Sequence, residues 1–355
     1  MSTNKTEGSR IPHSQPQLGA GERLAILATL DRSWVGAGGE ATRELEAALA
    51  KSFDRPAAVA VSSGSAALEI ALRVAGVTGE LVAIPAFACG SIERAVVRSG
   101  GRPYLVDIDP SDLSFPPGTL RSLADRCKAA ILVHQFGVPA AAAAEAAEGP
   151  MTIIEDVTTC IGGSLMERPV GSFGRLVVMS FSATKMLCGG EGGAVVGCVS
   201  DIEMARKWAD PESDLPIDAP VVHAKMSDMA CALASVQLGR LQEFLSRRAE
   251  IARLYDEVLG SEAHRVVRAP SGRSGTWWRY LIAAPDEATS VVARGLTGGI
   301  DFCQPVPNRA WEGRGDFPVA DRMHHHLVSV PIYPSLTERE IEHVRRALRT
   351  MGGSR

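Results

Sequence analysis

Three segments of this sequence carry residues whose types and spacing suit chemistry. The first is Val61-Ser62-Ser63-Gly64-Ser65-Ala66-Ala67-Leu68. Small hydroxyl residues and a glycine, placed between an apolar run and a helical pattern, form an anion site from backbone N–H groups and hydroxyls. The same residues also suit an ordinary helix N-cap. The second is Ile153-Ile154-Glu155-Asp156-Val157-Thr158-Thr159, in which a carboxylate leaves a buried strand. Asp156 is either a cap or turn residue or a partner for a cationic ring nitrogen, and strand alternation turns Glu155 the other way. The third runs from Val178 to Ala194 and sets Lys185 between an apolar run and the glycines 189, 190, 192 and 193, with no other cation in the segment. A lysine withdrawn from water has a lowered pKa and can form a Schiff base with an aldehyde. No P-loop and no strand-linked Gly-x-Gly-x-x-Gly occurs, which weakens a nucleotide-triphosphate or Rossmann reading.

Taken together in chain order, an anion cradle, a strand-end Asp and an embedded Lys are what pyridoxal phosphate needs. The phosphate is anchored, the Asp keeps the pyridine nitrogen protonated, and the Lys holds the aldehyde and shuttles protons. On these motifs the sequence resembles the DegT/DnrJ/EryC1/StrS family of pyridoxal-phosphate sugar aminotransferases, from about Gly36 to Leu348. The family's Ser-Gly-Thr-Ala-Ala-Leu is matched by Ser63 to Leu68, with Ser65 in the Thr position. Its Asp-Ala-Ala-Gln is matched by Asp156 to Thr159, and its Ser-Phe-His-x-x-Lys and Gly-Glu-Gly-Gly by Ser180 to Lys185 and Gly190 to Gly193. The resemblance implies that Lys185 is the cofactor lysine, that Asp156 pairs with the pyridine nitrogen, and that Gly64, Ser65 and Ser180 hold the phosphate.

Several positions depart from the family pattern. Cys89 stands where the resemblance places an aromatic ring against the cofactor, Thr159 where it places a Gln, and Ser182 where it places a His. The family's Asn-Tyr-Arg-Met-Ser aligns with His223 to Ser227, which makes His223 the phosphate ligand contributed by a neighbouring subunit and implies a homodimer. The stretch Cys303-Gln304-Pro305-Val306-Pro307-Asn308 reproduces a substrate-side motif poorly. The implied reaction is transfer of an amino group from an amino acid, glutamate or glutamine by resemblance, to a keto-sugar or keto-cyclitol in sugar or natural-product biosynthesis. The alternative is another pyridoxal-phosphate reaction on the same scaffold, such as dehydration, epimerisation or carbon–carbon chemistry.

These residues must be positioned by an α/β scaffold. Six apolar runs begin at Ala57, Leu81, Pro103, Ala129, Met151 and Leu176. Runs of four or five without polar alternation suit strands buried on both faces, and a mainly parallel sheet presents ligands at the carboxyl ends of its strands. The resemblance makes this the type I aspartate-aminotransferase fold, with a seven-stranded sheet in a large domain and a smaller C-terminal α+β domain. The expected division is an extended or disordered segment over 1–20, a large cofactor domain over 21–225, and a helical connector plus small domain over 226–355. Helical spacing predicts one long helix from Met226 to Leu259, a strand from Trp277 to Ile282 and a closing helix from Leu336 to Met351. Residues Asp210 to Pro220 read as a loop. The alanines of 140–147 predict a surface crossover helix.

Composition sets the outer bounds. With 45% hydrophobic and 22% charged residues and a net charge of −4 over 355 residues, the chain can bury a large core and has no basic footprint for nucleic acid. The first twenty-one residues hold no run of about 7–15 apolar residues for a signal peptide, and no window reaches the roughly 20 a membrane helix needs. Seven scattered cysteines, none in a Cys-x-x-Cys pair, fit free thiols in a cytoplasmic setting. His134 is either a substrate contact or a structural histidine. Trp277 and Trp278 read as core or interface, and the adjacent His324, His325 and His326 cannot all face one metal from a regular element.

Overall fold

A computed structural model of the chain describes residues 10–146 and 149–352. The expectation for 1–20 therefore falls partly outside the described residues. Residues 10–19 run extended, with Ile11 buried and bridged to Ile300.

The apolar runs fold as strands β1 (Ala57–Val61), β2 (Leu81–Pro85), β3 (Arg102–Val106), β4 (Ala129–Val133) and β5 (Thr152–Asp156). After the two-residue strands β6 (Ser164–Leu165) and β7 (Arg168–Pro169) come β8 (Leu176–Ser180) and β9 (Gly193–Gly197). The large sheet has the order β1-β9-β8-β5-β4-β2-β3. Six strands share one direction and β9 runs against both its neighbours. Strands β10 (Val266–Val267), β11 (Arg273–Ser274), β12 (Tyr280–Ala283) and β13 (Leu327–Val330) follow. Of these β10, β12 and β13 form a second sheet, and β11 joins β6 and β7.

Helices α1 (Ala20–Asp31) and α2 (Glu40–Ser52) precede the sheet, α3 (Gly64–Val74), α4 (Gly90–Arg98) and α5 (Thr119–Leu123) connect its strands, and α6 (Val199–Ala209) follows β9. Then come α7 (Asp228–Gly239), α8 (Leu241–Leu259), α9 (Ala288–Thr297), α10 (Pro318–His326) and α11 (Glu338–Gly352). The sheet is covered on both faces. Ile70, Leu72, Val82, Ile131, Ile154, Val178 and Val195 pack in one cluster, and Leu45, Leu49, Val177, Met179 and Phe181 in another. Each such side chain contributes about 1.5–3 kcal/mol on burial.

Three expectations need correction. The stretch from Met226 is two helices rather than one: the chain turns at Gly239-Arg240, where Arg240 leaves helical geometry (φ −97°, ψ 4°) and its guanidinium is tied to Glu22 and Glu243. The alanines of 140–147 form a short 3₁₀ turn over Ala141–Glu145, not an exposed crossover helix. Ala140, Ala142 and Ala143 are fully buried against Ala130 and Leu132, since methyl groups alone let backbone approach a sheet that closely; Ala147 lies outside the described residues. The strand expected from Trp277 begins only at Tyr280, because Trp277 takes a left-handed conformation (φ 50°) that ends pairing.

Candidate active site

The carboxyl ends of β1, β2, β4, β5 and β8 gather on one edge of the large sheet, as a parallel sheet requires. At the end of β1 the Ser63 hydroxyl accepts the backbone N–H of Ala66 at 3.1 Å and starts α3. This leaves the first amides of α3 beside Gly64 and Ser65. A side chain at Gly64 would bring its Cβ to 2.5 Å from Cβ of Ser180, so only glycine lets this turn meet the end of β8. A Cβ at Gly193 would likewise fall 2.5 Å from the carbonyl of Ser63. The turns after β1 and β8 thus approach each other as bare backbone with the hydroxyls of Ser65 and Ser180 alongside.

Asp156 closes β5. It is buried, and its Oδ1 accepts the N–H of Thr158 at 3.0 Å. Glu155 points to the opposite face, as alternation predicts. There it accepts N–H groups of Gly171 (2.8 Å), Phe173 (2.7 Å) and Gly174 (2.5 Å), and Nε2 of His134 at 3.0 Å. Burial alone would raise this carboxyl, but the bonds from His134 and the Gly174 and Gly171 amides outweigh it and hold it below its ordinary value. His134 accepts the N–H of Ala140 on Nδ1 at 3.0 Å and turns Nε2 toward Glu155, so the ring is a structural brace under the site.

Lys185 is placed by a turn at the end of β8. Its amide donates to the carbonyl of Ser182 at 2.9 Å, and the amide of Phe181 donates to that of Gly192 at 2.9 Å. Gly190 (φ +80°) and Gly192 (φ +141°) supply conformations that side chains resist. The side chain is half-buried with Nζ 5.1 Å from the centroid of the Trp278 ring. Burial pushes its ammonium below the ordinary lysine value; Asp156 and Cys89 oppose that shift and Arg279 adds to it.

One cavity of about 460 Å³, within the range of small-molecule sites, opens at this edge of the sheet. Gly64, Ser65, Cys89, Asp156, Thr159, Ser180 and Lys185 all contribute to it. The exposed Cys89 precedes α4, and the Thr159 hydroxyl donates to the carbonyl of His134 at 2.8 Å. His223 is the exception. It is exposed and stands outside this cavity.

Residues 16–349 match the profile of the DegT/DnrJ/EryC1/StrS aminotransferase family. The chain belongs to that family. It is a pyridoxal-phosphate-dependent aminotransferase with the type I fold. Among solved structures it is similar to the aminotransferase TlmJ from Streptoalloteichus hindustanus, at 27% identity and a TM-score of 0.87 over 96% of this chain and 98% of that one. It is also similar to AtS13 from Actinomadura melliaura (25% identity, TM-score 0.85, 97% and 100% covered). CalS13 from Micromonospora echinospora, a sugar aminotransferase, shares the fold (24%, TM-score 0.82, 96% and 99%).

Several groups of this family member escaped the sequence reading. Trp278, read as core or interface, is buried yet forms a cavity wall, stacked on Phe136 at 6.2 Å and 16°. Arg279 lies beside it with its guanidinium 4.3 Å from the Trp278 ring. Both reach the site because Trp277 breaks the strand. The only sequence signal was the run of aromatic residues next to a cation.

The remaining wall comes from residues 304–317, of which Pro305, Val306, Pro307 and Asn308 face the cavity. It is fastened from several sides. His324 Nδ1 donates to the carbonyl of Val306 at 3.0 Å, and Gln304 donates to that of His324 at 3.0 Å. Asp107 accepts the first amides of α10, from Val319 and Ala320, both at 2.9 Å, and Arg314 pairs with Glu93 of α4. The three successive histidines occupy the last turn of α10, and among the described residues no His, Cys, Asp and Glu cluster is arranged to hold a metal.

Proposed function

We propose that the chain transfers an amino group from an amino-acid donor, glutamate or glutamine, to the keto group of a sugar or cyclitol. The observation that carries this reading is the convergence of Lys185, Asp156 and the Gly64–Ser65–Ser180 cradle on one cavity. The residues fit pyridoxal phosphate. A bare-backbone cradle that a Cβ would fill, beside two hydroxyls and a helix start, suits its phosphate. A buried carboxylate at Asp156 suits its ring nitrogen, and a desolvated amine at Lys185 suits its aldehyde. Thr159 and Cys89 complete the lining.

When bound, the cofactor supplies an electron sink at the carbon where the amino group is given or received. Asp156 would hold the proton on the ring nitrogen. Lys185 would move a proton at the reacting carbon, and its lowered basicity suits that role. Trp278, Phe136 and the 304–317 wall keep water from the reacting atoms.

The sugar assignment draws on the named activity of CalS13 and on the mixed polar and apolar rim of Ser91, Gln135, Glu191 and Asn308. Two observations support a homodimer. His223 is exposed and outside its own cavity, free to reach the phosphate cradle of a second copy. Leu24, Leu27 and Leu30 of α1, with Trp34 and Val35 beyond it, form an apolar face, Leu24 being 64% and Trp34 56% exposed. Among the described residues no helix is long and apolar enough to cross a membrane. The seven thiols are free, which supports a cytoplasmic setting.

The absorbance of the purified protein tests the core of this reading. A visible cofactor band that Lys185→Ala removes, and that glutamate or glutamine converts to the amino form, is expected. A band unchanged in the variant, or one that no amino acid converts, would overturn it.

A further inference from the structure

Arg279 lacks a counter-charge. Among the described residues its guanidinium enters no ion pair with a carboxylate, although most arginines here do. Its polar contacts are sparse. Its own amide donates to the carbonyl of Phe136 at 3.2 Å, and the guanidinium lies on the Trp278 ring at 4.3 Å. Half-buried, it stands between the Lys185 cavity and an adjoining open groove lined by Val292, Leu296, Gln304 and Pro307.

The surroundings concentrate positive charge. Lys185 shares the Trp278 ring with Arg279. Arg248 lies behind and is spent on the carbonyls of Trp277, Trp278 and Ile332. The nearby Cys303 thiol is pushed up by burial and stays neutral, and His13 is pushed down to about 3 by burial and by Arg279 itself. Against these cations the cavity sets Asp156 on its floor and the exposed Glu191 at its rim. A partly desolvated guanidinium with no anion costs free energy that an incoming anion returns, and its planar fork matches a carboxylate in two parallel hydrogen bonds.

We propose that Arg279 is the receptor for the α-carboxylate of the amino donor. The inference rests on the transamination reading above and deepens it. Every amino-acid donor carries a carboxylate one carbon from the reacting bond, and Arg279 and Lys185 lie against the same ring. One arginine would then serve glutamate and glutamine alike, because it reads the group they share.

The test uses the full chain loaded with pyridoxal phosphate, titrated with L-glutamine and with 4-aminobutanamide, the same amine without the α-carboxylate, and followed by cofactor absorbance. In Arg279→Gln the L-glutamine midpoint should rise about 10- to 100-fold, the loss expected for a charge-assisted bidentate contact. The 4-aminobutanamide midpoint should stay within twofold, and Arg279→Lys should recover part of the loss. Glutarate, which binds without reacting, should protect the wild-type spectrum against L-glutamine and fail to do so in Arg279→Gln. An L-glutamine midpoint unchanged in Arg279→Gln overturns the proposal, and so does a variant impaired only toward the keto acceptor. If wild type binds L-glutamine with no conversion to the amino form, the transamination reading falls while the midpoint ratio still decides Arg279. No spectral response of wild type to any amino acid overturns both.

Discussion

Nε2 of His134 lies 3.0 Å from Oε1 of Glu155, and both side chains are fully sealed from solvent beneath the strand end that carries Asp156. The pair, with the three amides on Glu155, fixes the end of β5 from behind. Removing Glu155 leaves the His134 and backbone N–H donors buried without a partner, which costs about 1–3 kcal/mol for an unpaired group. Glu155→Leu should lower stability by about that amount in chemical denaturation and loosen cofactor retention together, because Asp156 shares the strand end. Equal stability in the variant would show that the brace carries nothing.

The same carboxyl sets an acid limit. Its value in the folded chain lies below the ordinary one, so its contribution is fully present above the ordinary carboxylate range and is lost as pH falls through the lowered value. Acid unfolding followed by far-ultraviolet circular dichroism should therefore begin at higher pH in Glu155→Gln than in wild type.

Lys185 gives a second pH signature. The neutral amine is the reactive form, so cofactor uptake by apo-protein should rise with pH through a midpoint below that of free lysine. Arg279→Gln removes a cation that disfavours the ammonium and should move the midpoint up. Asp156→Asn removes an anion that favours it and should move the midpoint down. Opposite displacements would refute this electrostatic assignment.

Gly64 is a steric prediction. In Gly64→Ala the new methyl would meet Ser180 at 2.5 Å. Overpacking of this kind costs about 1–3 kcal/mol, and since the collision is inside the cradle, cofactor affinity should fall at least about tenfold. Thermal melting and cofactor titration separate the two effects.

The second copy is tested by Leu24→Glu combined with Leu27→Glu. Sedimentation should show a monomer with weakened cofactor binding, and His223→Ala should weaken binding while leaving the dimer intact. A double variant that stays dimeric would mean the α1 face is not the interface.

What was legible in the sequence was what local chemistry constrains. Ser63 to Leu68, Asp156 and the Lys185 turn each need a particular residue type at a strand end, and six strands announced themselves as apolar runs. The antiparallel β9 was hidden because Gly193 doubles as strand start and close-approach site for Ser63. Arg279 and Trp278 were hidden because they arrive from nearly a hundred residues beyond Lys185, delivered by the left-handed turn at Trp277. The alanines of 140–147 misled because helix propensity and tight packing call for the same small side chain.

The fastening of the 304–317 wall, through Asp107, His324 and the Arg314–Glu93 pair, has an evolutionary meaning. None of those fasteners is among the groups that grip the cofactor, so the wall can change residue by residue while the floor beneath it stays fixed. Natural selection, or a directed library confined to 305–308, can therefore explore new acceptors without first having to rebuild the catalyst.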